Sequence, residues 1–373
     1  MTSTTVQREP ELTDSSTRID WIDTAKALAI VLVVLYHVGN AAASYLLPHD
    51  AHALNSAIWG RLNTILLPVR MPLFFFASGL LAASAVQRPW RDVVRPRIAD
   101  LIWPFLLWSL LFAPAYAVGY LGQGVASGSL VTLTSIPVGG NAYWYLSALV
   151  VFFVVAKSFR RFAPALVLGA GVLWVGASSV SSLAVGHLGA HLGTNVGRWA
   201  WFFVWFAVGC FLKRAALQVV DAATRPSSVI VAVSAFAAIA YLVYWVGGAD
   251  PKWGYVLTVL GILGLAALSS LACRSSRVRR GSRYLARRTL PIYLLHPLLL
   301  NLVVAAARAI WGRTDVVPDL PLVGLIFTPV VTALLVVVAV TFFDVATRRL
   351  GGRLLFMSPP TARRFTNPTG RGR

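Results

Sequence analysis

Carboxylates and cysteines are the scarce groups in this chain, with thirteen Asp and Glu and two cysteines among 373 residues. Cys210 and Cys273 cannot build a disulfide framework, and no spacing resembles a Cys-based metal site, so a structural metal is not expected. The acids Asp20, Asp23, Asp92, Asp100 and Asp344 sit at the ends of apolar stretches, which argues against a carboxylate proton relay and against a carboxylate-bound metal. Charge is sparse altogether. Only 12% of residues are charged, while 57% are hydrophobic and the mean hydropathy is +0.72, values that exclude an ordinary soluble chain. What charge there is leans one way: 33 Lys and Arg give a net +20. On a soluble protein that would point to nucleic acid; on a membrane protein it reports topology and contact with lipid headgroups, and nucleic-acid binding is not expected.

A hydrocarbon core of ~30 Å needs ~20 apolar residues per helix. Cutting the chain where apolar runs meet charge, Gly or Pro predicts an all-α polytopic bundle of ten transmembrane helices, at 25–47, 62–86, 98–121, 142–157, 165–185, 194–212, 228–247, 253–273, 290–310 and 322–346. The fourth is short and the sixth contains Arg198. With both termini cytoplasmic, 26 of the Lys and Arg fall in inner segments and five in outer ones, so the N-in, C-in arrangement satisfies the positive-inside rule. Residues 1–17 and 351–373 read as disordered cytoplasmic leader and basic tail around a membrane domain over 18–350. The first apolar run reads as a retained span rather than a cleaved signal. No repeat and no appended soluble catalytic domain is found. The uncharged, Gly- and Ser-containing stretch 122–141 suits a flexible or re-entrant cover.

Ionisable groups within the spans carry the functional signal, because each is expensive in hydrocarbon unless it faces protein or water. Lys26 and His37 are eleven residues apart, which puts them on one helix face ~16 Å apart along the axis. Lys26 also fits a snorkelling anchor, and His37 a hydrogen-bonded packing residue. Arg70 lies between Pro68 and Pro72, whose freed carbonyls could satisfy a guanidinium. His296, before Pro297, is again deep in a span, so the two histidine-bearing helices could share a cavity. Arg88, Arg91, Arg95 and Arg97 precede the third span; they fit either topology signal or phosphate recognition at a cavity mouth. The arginines from Arg274 to Arg288 allow the same two readings.

These residues resemble the acyltransferase-3 family of integral membrane acyltransferases. Trp21-Ile22-Asp23-Thr24-Ala25-Lys26, followed after ten residues by His37, resembles the family's first helix and in particular its sugar O-acetylase branch. Met71-Pro72-Leu73-Phe74-Phe75-Phe76-Ala77-Ser78-Gly79 resembles its second-helix signature, and Arg95-Pro96-Arg97 its third-helix entry. Tyr143-Trp144-Tyr145-Leu146 and Thr289-Leu290-Pro291-Ile292-Tyr293-Leu294-Leu295-His296 are similar to later landmarks. One position departs: where O-acetylase relatives often carry His before the Met-Pro, this chain has Arg70, which cannot act as a base.

The resemblance implies ten helices, a cytoplasmic acyl-CoA donor, most simply acetyl-CoA, and a carbohydrate or glycolipid hydroxyl as acceptor. It implies His37 as general base, Lys26 and the pair Arg95 and Arg97 as donor contacts, and Ser78, Trp144, Tyr145, Tyr293, Arg70 and His296 as cavity residues, the last two with acceptor-orienting, oxyanion or packing roles open. A composition rich in Ala, Arg, Val and Gly suggests a GC-rich bacterial genome, hence an inner-membrane, multi-pass protein acting on the cell envelope, alone or as a homo-oligomer. The alternative from another class is a transporter or flippase for a lipid-linked sugar. It would need the same cavity but neither the Lys26 and His37 spacing nor the arginine pair, and it usually shows internal repeats.

Overall fold

In the computed structural model, residues 20–118, 130, 132–140, 142–246, 251–311, 318–349 and 351–359 are described. They form α1 (Asp20–Leu46), α2 (His49–Gln87), α3 (Trp90–Tyr116), α4 (Trp144–Ser158), α5 (Arg160–Val175), α6 (Ala177–Leu188), α7 (Ala190–Phe211) and α8 (Lys213–Ala222). The remainder are α9 (Pro226–Trp245), α10 (Trp253–Ala272), α11 (Ser276–Ala286), α12 (Thr289–Trp311) and α13 (Pro321–Arg348). Among the described residues there is no strand.

Seven of these helices, α1, α2, α3, α9, α10, α12 and α13, are long and apolar enough to cross a membrane. The number is nine if the bent pairs α5 with α6 and α7 with α8 each count as one span. The stretch predicted as a single fifth helix is therefore not straight: it turns by 76° between Val175 and Ala177, at Gly176. The short fourth helix is α4, with 15 residues. Arg198, which weakened the sixth prediction, lies inside the unbroken α7. Several helices contain wide π-turns, and two of these occur at predicted site residues, His37–Ala42 in α1 and Arg95–Ala99 in α3. Such turns recur at functional positions, because an extra residue per turn re-aims side chains.

Glycine allows one of the close helix crossings. A Cβ at Gly79 of α2 would meet the carbonyl of Phe206, and one at Gly209 of α7 would meet that of Phe76, so the two backbones touch where the Ser78-Gly79 motif sits. Small residues at such crossings are how membrane helices approach without a hydrophobic drive between them.

Charge collects at one end of the bundle. Asp20 accepts from Arg283 Nη2 at 2.6 Å and lies 3.8 Å from Arg279, while Asp344 is gripped by both Nε (2.9 Å) and Nη2 (3.0 Å) of Arg288. Lys157, fully buried at the end of α4, donates to the carbonyls of Val86 and Arg88 and so closes the C-terminus of α2. At the other end, Asp319 accepts from the backbone N–H of Asp50 (2.9 Å) and Ala51 (3.1 Å) and caps the start of α2.

Residues 351–359, placed in the disordered tail by composition, are packed instead. Phe356 is 2% exposed between Trp108 and Phe343, and the indoles of Trp103 and Trp108 donate to the carbonyls of Leu354 and Leu355. The short apolar run Leu354-Leu355-Phe356 accounts for this: Phe356 packs between aromatic rings, and the carbonyls before it accept from two indoles of α3. The leader over 1–17 and residues 360–373 lie outside the described residues, as do 122–129, 131 and 141 of the expected cover. Its remainder is held to α7 by Asn195, whose Nδ2 donates to the carbonyls of Val138 and Gly140, both at 2.9 Å.

Candidate functional site

Among the described residues, two neighbouring cavities share Tyr293 in their walls. The smaller, of about 210 Å³, is bordered by Lys26, Ser78, Arg97, Tyr145 and Tyr293. Its remaining wall is mostly Phe and Leu side chains from α2, α3, α4, α7 and α12. The larger, of about 600 Å³, is bordered by His37, Arg70, Trp144, Arg198, Tyr293 and His296. The eleven-residue spacing on α1 thus delivers Lys26 to one cavity and His37 to the other. Adjacent residues at the head of α4 divide in the same way, Tyr145 to the smaller and Trp144 to the larger.

Hydrogen bonds hold the wall between them. Tyr293 OH donates to the carbonyl of Ala142 at 3.1 Å and accepts from the N–H of Tyr145 at 3.4 Å, and Tyr145 OH shares a 2.9 Å hydrogen bond with Ser78 Oγ. The tyrosine rings lie 5.6 Å apart, edge to face. This links α2, α4 and α12 around the point where the cavities meet.

His37 and His296 face each other with ring centroids 5.2 Å apart. His37, first residue of the wide turn in α1, is half-buried despite its depth because its ring borders the larger cavity. His296 is 1% exposed, and its Nδ1 lies 3.1 Å from the carbonyl of Ile292, which only an N–H can bond. That places the proton on Nδ1 and leaves Nε2 as a bare acceptor; it is buried with no hydrogen-bond partner. A buried acceptor without a partner costs about 1–3 kcal/mol.

Arg70 is 3% exposed and does not use the carbonyls freed by the prolines. Its Nη1 donates to Asn63 Oδ1 at 3.1 Å and its Nη2 to the Asn63 carbonyl at 3.4 Å, with the guanidinium 4.2 Å from the centre of the Tyr36 ring. Asn63 in turn bonds Asn40, at the wide turn that begins with His37. Arg198, which the sequence showed only as a charge within the sixth predicted span, is a cavity residue that the sequence reading missed. It donates to Asn195 Oδ1 at 3.1 Å and lies 4.9 Å over the Trp144 ring. A lone arginine near a helix entry looks like topology in a sequence; only the crossing of α4 and α7 turns it inward.

The arginine pair of α3 is separated. Arg97 lines the smaller cavity and donates to the carbonyl of Leu81 at 2.8 Å, whereas Arg95 is exposed outside it. Among the described residues no cluster of His, Cys, Asp and Glu could hold a metal ion.

The family described as an acyltransferase domain, Acyl_transf_3, matches residues 19–346. The chain is also 31% identical over 158 residues to a protein of Escherichia coli (strain K12) described as "Inner membrane protein YcfT". That likeness covers 38% of this chain and 44% of the relative, so it spans less than half the relative's length. No solved structure matches the chain.

Proposed function

The chain belongs to this acyltransferase family and is a multi-pass membrane protein, and from that premise we propose that it moves an acyl group, most simply acetyl, from acyl-CoA at the basic end of the bundle to a hydroxyl of a carbohydrate or glycolipid in the larger cavity. The observation that carries the reading is that Tyr293 borders both cavities, so a chamber lined by Lys26 and Arg97 abuts a chamber lined by two histidines. A volume of about 210 Å³ admits a slender neutral arm and not a nucleotide. The phosphates of the donor therefore stay outside, against Arg97 and the exposed Arg95, while its thioester reaches toward the wall at Tyr293.

The acceptor hydroxyl is a poor nucleophile until a base removes its proton. A nitrogen of His37 takes that proton as the hydroxyl oxygen attacks the thioester carbonyl, forming the new C–O bond; the C–S bond then breaks, and the imidazolium returns the proton to the departing thiolate. His296, with its proton held on Nδ1 by Ile292, packs its ring beside that of His37 and positions the base.

The test is transfer of label from acetyl-CoA by the purified full chain. His37→Gln should lower turnover by ~10²–10⁴-fold with the protein still folded. Unchanged turnover would remove His37 as the base. A wild-type protein that neither hydrolyses nor transfers the thioester would favour the transporter.

A further inference from the structure

Arg70 and Arg198 both face the larger cavity, and among the described residues no carboxylate lines it. The chain does neutralise arginines where it can: at the basic end Asp20 meets Arg279 and Arg283, and Asp344 meets Arg288. Asp319 and Asp50, toward the other end, are committed to capping α2 and to His49. Among the described residues the partners of Arg70 and Arg198 are neutral, the side chains or backbone of Asn63 and Asn195 and the faces of Tyr36 and Trp144. A guanidinium carries five N–H donors, so each keeps several in hand after these bonds. Topology does not explain them, since both lie well inside helices, away from the basic end. Both guanidinium groups are drawn out of bulk water beside this cavity, and a bound oxyanion would offset that loss of hydration while accepting hydrogen bonds from the spare donors in pairs.

We propose that the acceptor is anionic: the molecule that receives the acyl group carries a phosphate or carboxylate seated between Arg70 and Arg198, beside the hydroxyl presented to His37. This rests on the larger cavity being the acceptor chamber. The two aromatic faces hold the guanidinium planes still, so the site is preorganised for an oxyanion. Such a site discriminates strongly, because a neutral sugar would leave both charges uncompensated.

The experiment is equilibrium dialysis of the full chain in detergent with radiolabelled glucose 6-phosphate, glucuronate and methyl glucoside. The phosphate and carboxylate arms separate the two sources of the oxyanion. At least one anionic probe should bind ~10-fold or more tightly than the neutral glucoside, and Arg198→Gln should bring all three to near parity, with Arg198→Lys restoring part of the preference. Arg198 is varied because Arg70 is wedged into the Asn63 contacts and its loss could unfold α2. Equal binding of all three probes by the wild type, or a preference that survives Arg198→Gln, overturns the proposal. Competitive displacement of the anionic probe by CoA also overturns it, by assigning the arginines to the donor. Binding is read without chemistry, so His37→Gln should keep the preference. A protein that selects anions yet turns over no acetyl-CoA removes the acyl-transfer reading and leaves the oxyanion site; one that acylates methyl glucoside as fast as glucose 6-phosphate removes the oxyanion and leaves acyl transfer.

Discussion

His296 combines two properties: its Nδ1 proton is fixed by Ile292, and its Nε2 is buried with nothing to accept from, in a ring that lies 5.2 Å from that of His37. Were it structural, replacing it by an apolar ring would lose one hydrogen bond and weaken the fold. Were it a positioning residue, the same change would relieve a stranded acceptor and lose only function. His296→Phe is therefore expected to hold or raise the melting temperature in detergent while lowering kcat for acyl transfer by ~10-fold or more. A fall in melting temperature with unchanged kcat would mark a packing histidine. The arginine pair divides as sharply. Arg97 lines the smaller cavity, whereas Arg95 is exposed beside it. Arg97→Ala should raise KM for acetyl-CoA by ~10-fold with little change in kcat, and Arg95→Ala should have a much smaller effect, because an exposed charge is screened by water and salt. Equal effects of the two substitutions, read from initial rates against donor concentration, would contradict the assignment.

Backbone approach, more than side-chain chemistry, aligns these groups. Gly79 and Gly209 let α2 and α7 touch, and the adjacent Ser78 bonds Tyr145 of α4. A Cβ at Gly79 would strike the backbone of Phe206, which cannot swing aside, so Gly79→Val should destabilise by ~1–3 kcal/mol or more and lower the yield of folded protein. Gly264 on α10 has open space around it, and Gly264→Ala should be neutral or slightly stabilising by the helix propensity of alanine, up to ~1 kcal/mol. Thermal unfolding of the two variants side by side checks the contrast. The sequence displayed one of these glycines inside a recognisable motif and still could not say why it is glycine, since the reason lies on another helix. Periodicity was informative where an element acts alone. The spacing of Lys26 and His37 already placed both on one face, and apolar runs already marked the spans. It was silent where two elements must meet. Tyr293 as a shared wall, Arg198 turned inward, the bend at Gly176 and the packing of Phe356 all follow from crossings and contacts that no local pattern encodes.

The distribution of charge over the bundle ties topology to chemistry. The ion pairs of Asp20 and Asp344, the Lys157 cap and Arg97 gather at the end where α1 and α12 begin and α2, α4 and α13 finish. The directions of these five helices are compatible with the arrangement that places 26 basic residues in inner segments and five in outer ones. If that end faces the cytosol, the smaller cavity opens toward the compartment that holds acyl-CoA, and the larger one is reached from the opposite side. Single cysteines test this in a Cys210→Ser, Cys273→Ser background. His49→Cys, at the exposed start of α2, should react with a membrane-impermeant maleimide added to intact cells, and Arg277→Cys, exposed on α11, only after permeabilisation. The reverse pattern would turn Lys26 and Arg97 toward a side without thioester donor. Orientation and donor binding are thus one claim: inverted labelling would withdraw the route from Arg97 to His37 even with every distance in the site unchanged.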